Sequence, residues 1–350
     1  MKPVAMKPVS KSSSPTIRDV ARAAGVSPGT VSRVLNNSPL VTEATRKRVL
    51  RVVEELDYRP NLIAQRLSLG KTLRIGVIVP FFTRPAEIER LKGVVSSLSK
   101  SHYDLVIHNV ETPEQRNNYF RLIPHREQVD GVIMISIPPR EEDIPVLENS
   151  NVPIVFVDVH HPGITTFDRV IGDDVQGGYL ATQHLIQQGH RKIGFIGDLP
   201  DNPFEFTSSQ DRDEGYRQAL ADAGLGFDPD CYALDEHGQY TAHLLSKQML
   251  CSSCCPTAIF AASDTQAIGV LAAARSIQRT VPEQLSVIGF DDIEVAEYLG
   301  LTTIHQQLFE SGQIGVELLL DRIMNPDKPV VTYQVQNELI VRSTTAPPKE

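Results

Sequence analysis

Beginning at Leu73, apolar runs and helical stretches alternate almost to the end of the chain, and this rhythm limits the fold more than any other feature. LRIGVIVP, YDLVIHNV, VDGVIMIS and PIVFVDV make one group of strand-like runs; KIGFIGD, CYALD, AIFAASD and LSVIGFDD make a second after residue 190. These runs are apolar on successive residues, so both faces of each strand must be covered, and the intervening helices supply the cover. The expected body is two lobes, each a parallel sheet of four to five strands wrapped by helices. In such sheets ligands bind beyond the carboxyl ends of the strands, and a cleft between lobes is the default site. Polar residues stand at those ends: Asp158, Asp173-Asp174, Ser263-Asp264 and Asp291-Asp292. Asp264, directly before TQAIGV, reads as a cap of the next helix. Asp158 and Asp291 read as pocket residues, with helix capping as the alternative, because several acids and Arg212 converge on one crevice.

The segment before Leu73 differs in kind. Residues 1–72 carry 13 Lys and Arg against 5 Asp and Glu, a net of +8, while the remainder carries 21 against 38, a net of −17. The overall −9 hides a basic head on an acidic body. A basic head attracts polyanions, and an acidic body discourages binding anywhere else along them. At 350 residues two or three domains are expected. No apolar run reaches the roughly 18 residues that a membrane span needs. The opening MKPVAMKPVSKSSSP is basic without the apolar centre of an export signal, so a cytoplasmic location is expected, with Met1 and Met6 both available as starts. Four cysteines at 231, 251, 254 and 255 do not form the spread framework of a secreted protein. Cys251-x-x-Cys254, with His243 as a further ligand, has metal-like spacing, but no second CxxC accompanies it. The cysteines read as plain loop and core thiols, and neither metal nor cofactor is expected.

Within the head, Ser12-Ser13-Ser14-Pro15 is a lead-in and Thr16-x-x-Asp19 a capping box that opens a helix ending at Gly25. Ser27 caps a second helix, with Pro28 at its first position, where a missing N–H does no harm. Val31, Val34 and Leu35 form its buried stripe, and Asn36-Asn37-Ser38-Pro39 breaks it. Thr42 is read as the cap of a third helix to about Leu56, with Val49, Val52, Val53 and Leu56 inward and Arg46, Lys47, Arg48 and Arg51 largely outward. Two short helices around Ala24-Gly25-Val26 make a helix-turn-helix, whose second helix enters a DNA major groove N-terminus first. Ser27, Pro28, Gly29, Thr30, Ser32 and Arg33 would then face DNA. Arg33 is the one donor long enough for a bidentate contact to guanine. Ser27, Thr30, Ser32 and Asn36 suit phosphates or short base contacts.

The whole stretch from TIRDVARAAGVSPGTVSRVLNN to PNLIAQRLSLGKT, with VSxxTVSRVLN, Leu56-Asp57-Tyr58 and PNxxAxxL, resembles the DNA-binding head and hinge of the lactose/galactose repressor family. The resemblance implies that Pro28 and Gly29 hold the two specificity positions, that Arg33 reads a base, and that Thr16 and Tyr58 join the DNA contacts. It also assigns residues 61–69 to a hinge helix. Nine residues are too few for an isolated helix, so such a segment orders mainly on DNA. There Asn61 would make contact, Ala64 would permit close approach of the partner's hinge, and Leu67 would wedge into the minor groove.

The body resembles the periplasmic-binding-protein-like domain of that family from Leu73 to about Ala346. Its marks are GGYLATQHLIQQGHRKIGFIGD, Arg212-x-x-Gly215-Tyr216, FAASDTQAIGV, VIGFDDIEVAEY, LTTIHQ and ELIVRSTTAPP. The resemblance implies a sugar-like effector hydrogen-bonded by Arg212 and Asp291. Asp158, Ser263, Gln306 and a stacking Tyr240 would complete the pocket, with Phe81 and Phe82 as an apolar wall. The family pattern is broken at PFFTRPAEIERLKG, at Gly300 and at Ser263, which leaves the effector's identity open.

The expected organisation is a tail at 1–15, an all-α helix-turn-helix head at 16–59, a hinge and linker at 60–72, and an α/β body at 73–346. The first lobe is expected at 73–172 and 307–326, and the second at 173–306 and 327–346. No GxGxxG after a strand, GxxxxGK[ST] or GxSxG is present, so catalysis is not expected. The implied protein is a homodimeric repressor on a palindromic DNA operator, controlled by a small molecule in the cleft or, alternatively, by a protein docking on the lobes.

Overall fold

The computed structural model describes residues 15–35, 38–59 and 70–349. Contacts divide the chain at Lys71 into a head and a body. In the head, the Asp19 carboxylate accepts the Thr16 backbone N–H at 3.0 Å and the Thr16 hydroxyl at 2.7 Å, which fixes the start of α1 (Ile17–Ala24). Gly25 ends it with φ 61°, a left-handed conformation that glycine adopts without steric penalty. Ser27 begins α2 (Pro28–Leu35) by accepting the Thr30 N–H at 3.1 Å. With α3 (Glu43–Glu55) these helices enclose a core of Val20, Ala21, Ala24, Val31, Val34, Val49, Val52 and Tyr58.

Two details of α3 differ from expectation. The Thr42 hydroxyl meets the Thr45 hydroxyl at 3.0 Å and caps no backbone N–H. Arg46 does not point outward: its guanidinium donates to the Ser38 carbonyl at 2.8 Å, tying α3 to the chain that follows α2.

The body contains the two expected parallel sheets and one small addition. The first sheet uses β1 (Arg74–Pro80), β2 (Asp104–Val110), β3 (Gly131–Ile135), β4 (Ile154–Val157), β5 (Asp168–Ile171) and β11 (Thr332–Gln334), in the order β11-β5-β4-β3-β1-β2. The second uses β6 (Ile193–Asp198), β7 (Tyr232–Asp235), β8 (Ala258–Ala261) and β9 (Ser286–Ile288), in the order β7-β6-β8-β9. Beside it β10 (Thr303–His305) pairs antiparallel with β12 (Glu338–Ile340). Every strand-like run of the sequence appears: the central strands are apolar on both covered faces, while β2 and β7 lie half-buried at the sheet edges. The short β5 and β11 escape a sequence reading because neither is an apolar run.

The assignment of 327–346 to the second lobe needs correction. Buried Asp168 on β5 accepts from Arg322 at 2.8 and 2.9 Å and from the Val331 N–H at 2.8 Å. This carboxylate pins the turn after α12 (Leu308–Met324), so the chain adds β11 to the first sheet before it crosses. The chain therefore crosses between lobes at 172–173, 306–307 and 335–337.

Cys231 and Cys254 pair side by side in the core, their Cα atoms 5.7 Å apart, while Cys251 and Cys255 stand apart from them. The sheet order explains the pairing, since β7 and β8 both flank β6 and their entering segments meet at the same end.

Backbone-to-backbone helix contacts set the layers. A Cβ on Gly178 of α7 (Asp174–Gln187) would lie 2.2 Å from the Arg212 carbonyl oxygen on α8 (Ser208–Asp222). A Cβ on Gly312 of α12 would lie 2.1 Å from the Arg90 carbonyl oxygen on α4 (Pro85–Leu98). Neither site admits a methyl group without moving a helix. Gly178→Ala and Gly312→Ala should each destabilise the body by about 1–3 kcal/mol, seen as a lowered midpoint in thermal or urea unfolding. Gly226→Ala, where no atom lies within 4 Å, should leave it unchanged.

Candidate functional site

On the head, Val31 and Val34 turn α2 into the core and leave its opposite face outward. Ser27, Pro28, Gly29 and Arg33 are exposed, with Thr30 and Ser32 half-buried beside them. Among the described residues no side chain pairs with Arg33, so its guanidinium is available at the surface. A Cβ on Gly29 would meet only the Ser27 hydroxyl oxygen, at 3.7 Å, so packing does not demand glycine there. Thr16 is exposed at the start of α1, its hydroxyl engaged by Asp19. Tyr58, expected on the DNA side, is 9% exposed within the head's core. Its apolar ring fills the space under α3. Asn36, Asn61, Ala64 and Leu67 lie outside the described residues.

In the body, the carboxyl ends of both sheets face one cleft. The first lobe contributes Arg90, 4% exposed on α4. Its Nη2 meets Asp158 Oδ2 at 2.8 Å, and its Nη1 lies 3.6 Å from Glu87 Oε1. Ser136 donates to the same Asp158 oxygen at 2.8 Å. The second lobe contributes Arg212, which donates to Asp174 Oδ1 and to the Ala262 carbonyl, both at 2.7 Å. Its Nη1 lies 3.7 Å from Asp291 Oδ1, and its guanidinium sits 3.8 Å over the Phe290 ring. Gln306 joins the two clusters: it accepts from Arg90 Nη2 at 3.3 Å and donates to Asp291 Oδ1 at 2.6 Å.

The local backbone is unusual at these positions. Phe81, Ser136 and Asp158, after β1, β3 and β4, have φ of 43°, 50° and 59°, and Asp291 after β9 has 122°. Side-chain-bearing residues seldom take this region, and such strain clusters where function fixes a side chain. Glu87 Oε2 and Arg90 Nε are buried without a hydrogen-bond partner, which leaves polar capacity in the cleft wall. Burial pushes the Glu87 carboxyl up to about 7, against the pull of Arg90. Burial likewise raises Asp291 to about 6, opposed by Arg212 and Arg90.

The structure thus brings together Asp158, Arg212, Asp291 and Gln306. Four other expected residues fall elsewhere. Tyr240 is 75% exposed on the first turn of α9 (Gln239–Leu250), and His237 from the end of β7 lines the cleft in its place. Ser263, not Asp264, caps α10 (Asp264–Ser276): its hydroxyl accepts the Gln266 N–H at 3.2 Å and is buried behind the cleft wall. Asp264 is fully buried, accepting the Thr303 hydroxyl at 2.6 Å and the Ile293 N–H at 3.0 Å. Phe82 does not line the cleft, and Phe81 lines an adjoining chamber. The sequence reading missed Glu87, Arg90 and Asp174. The signal for the first two was the i,i+3 spacing of opposite charges within PAEIER, a stretch that otherwise reads as a solvated helix face.

The head and the cleft together define a class: a transcription regulator with a helix-turn-helix DNA-reading domain and a two-lobed ligand-sensing body. Residues 16–61 match the profile of bacterial regulatory proteins of the lacI family, and residues 182–345 that of the periplasmic binding protein-like domain. The HTH-type transcriptional repressor PurR of Vibrio campbellii is 35% identical over 333 residues, covering 94% of this chain and 98% of the relative. The ribose operon repressor of Haemophilus influenzae is 35% identical over 335 residues with the same coverage. The chain belongs to the lacI family. Among solved structures, the lac repressor dimer bound to operator and the anti-inducer ONPF superposes with a TM-score of 0.82 at 27% identity, covering 97% of this chain and 100% of that one. A complex of the regulator CelR with cellobiose superposes at 0.69 with 30% identity, covering 94% and 99%.

The raised carboxyl of Glu87 gives a test of the cleft's electrostatics. A carboxyl held at about 7 in the folded protein and near 4.5 when unfolded binds more protons in the folded state across that interval. Its contribution to stability is therefore present below pH 4.5 and is lost as pH rises through 7. Glu87→Gln should stabilise the ligand-free protein at pH 8 by on the order of 1–3 kcal/mol and change it little at pH 5. Unfolding midpoints of the two proteins across this range would measure the difference.

Proposed function

We propose that this chain is a cytoplasmic, non-catalytic repressor that binds a palindromic operator as a homodimer and is controlled by a sugar-like effector in the cleft. The observation that carries the DNA half is the exposed face of α2, on which Arg33 alone has a long guanidinium and no partner among the described residues. A bidentate contact from this group to a guanine edge supplies sequence preference, with Ser27, Thr30 and Ser32 positioned for phosphate or short contacts. Asn61, Ala64 and Leu67 are assigned to the hinge contact in the minor groove. No helix of the described chain is long and apolar enough to cross a membrane.

The effector half rests on the Arg90–Gln306–Asp291–Arg212 chain. Paired guanidinium and carboxylate groups offer donors and acceptors side by side, which is what adjacent hydroxyls of a sugar require. A ligand that bridges Asp158 on one lobe and Asp291 on the other binds one lobe arrangement better than another, and that difference is what shifts the equilibrium. The ligands in solved relatives, cellobiose with CelR and ribose with a LacI family regulator of Enterococcus faecium, agree with a carbohydrate class.

Selection of an operator from random duplexes, followed by anisotropy titration, tests the reading. Arg33→Ala should weaken operator binding by about 1–3 kcal/mol and weaken binding to random DNA much less. Equal losses on both would reduce Arg33 to a phosphate contact. Asp158→Asn should leave effector-free operator binding intact while removing the response to sugar. An unaltered response would place the effector elsewhere.

A further inference from the structure

The charged cleft opens past Arg84, Asp198, Phe206 and His237 into the adjoining chamber. The connection between β6 and α8 forms its outer wall. Phe204 from this loop is 6% exposed and seats in the first lobe's core, edge-on to Phe81 with ring centres 5.4 Å apart. Glu205 pairs with Arg140 of the same lobe at 3.3 Å. The loop is therefore held from both lobes. Phe206 stacks on Phe204 with ring centres 5.3 Å apart and planes 15° apart, and it is only half-buried, on the wall shared by both chambers.

The polar groups around this ring are unevenly distributed. Asn202 Nδ2 donates to the Phe206 carbonyl and Gln210 Nε2 to the Pro200 carbonyl, each at 3.0 Å, so the loop's amide donors are engaged internally. Asp201, Asp235 and Glu236 line the chamber as acceptors. With Phe81, Phe204 and Phe206 as aromatic faces and the Arg84 guanidinium as a donor beside these acceptors, the space fits a ring with an apolar C–H face and hydroxyls at its edge.

We infer that the effector carries two sugar rings. The first lies among Arg90, Asp158, Arg212 and Asp291, and the second rests on Phe206 in the outer chamber. This rests on the reading of the inner cleft as a sugar site and adds to it the class of ligand, a disaccharide in preference to a monosaccharide.

Isothermal titration of the full-length protein with glucose, galactose, ribose, cellobiose, maltose, lactose and hypoxanthine tests it. At least one disaccharide should bind about tenfold or more tightly than its own constituent monosaccharide. Phe206→Ala should reduce that ratio to near one while leaving monosaccharide affinity within about twofold, and Phe206→Tyr, which keeps the ring, should restore it. Unfolding midpoints equal to wild type would show that the variants are folded. A monosaccharide or hypoxanthine bound as tightly as any disaccharide would overturn the second-ring site while leaving a cleft effector in place. So would a disaccharide preference that survives Phe206→Ala. No binding by any of these compounds would overturn both the sugar reading and this extension of it.

Discussion

The cleft exists because two helix pairs touch backbone to backbone. Gly178 admits the Arg212 carbonyl, and Gly312 admits the Arg90 carbonyl. In each pair the residue that fills the glycine gap through its main chain is the residue that sends its guanidinium into the cleft. The position of each charge is therefore set by main-chain packing, which moves little, and not by its own flexible side chain. A methyl group at either glycine would push a helix outward and carry an arginine with it.

Such precision is needed because the charges are nearly all buried. Two arginines and four carboxylates withdrawn from water are costly unless each is answered at close range. Most are answered: Asp174 by Arg212, Asp158 by Arg90 and Ser136, and Asp291 by Gln306. The neutral Gln306 lets one lobe's cluster connect to the other without adding charge, by accepting on one side and donating on the other. What is left over, the second oxygen of Glu87 and the Nε of Arg90, marks where a ligand's polar atoms have something to gain.

Much of this was legible in the residues. The apolar runs gave eight of the strands, and Gly25, Ser27 and Pro28 gave the head its turn and second helix. Arg212, Asp158, Asp291 and Gln306 were recognisable because strand ends and the family pattern place them. The errors have a common origin in local chemistry that a linear pattern does not specify. Ser263 and Asp264 are adjacent polar residues at a helix start, and only the packing of β10 decides which one caps and which is buried. Tyr240 lies three residues beyond His237, and the exact point at which α9 begins decides which faces the cleft. Arg46 reads as a solvated charge on a helix, yet the break after α2 leaves the Ser38 carbonyl within its reach. The approach of Cys231 to Cys254 depends on strand order, which neither cysteine spacing nor composition reveals.

The three crossings between lobes are hydrogen-bonded to one another. The Val335 N–H donates to Ile171, the Asn337 side chain to the Asp173 carbonyl, and the Gln307 side chain to the Gln336 carbonyl at 3.1 Å. Three short straps fastened side by side resist stretching and sliding, so the lobes retain chiefly rotation about the straps. Gln306 sits on one strap, close to that axis, and is displaced least by the rotation. The loop bearing Phe204 and Phe206 reaches across the cleft between the lobes and travels farther for the same angle. A small ring held near Gln306 acts on a short lever, whereas a longer molecule reaching Phe206 grips the far end of the arm. Ligand length then sets the torque on the lobes, so two compounds of equal affinity can differ in how far they turn them.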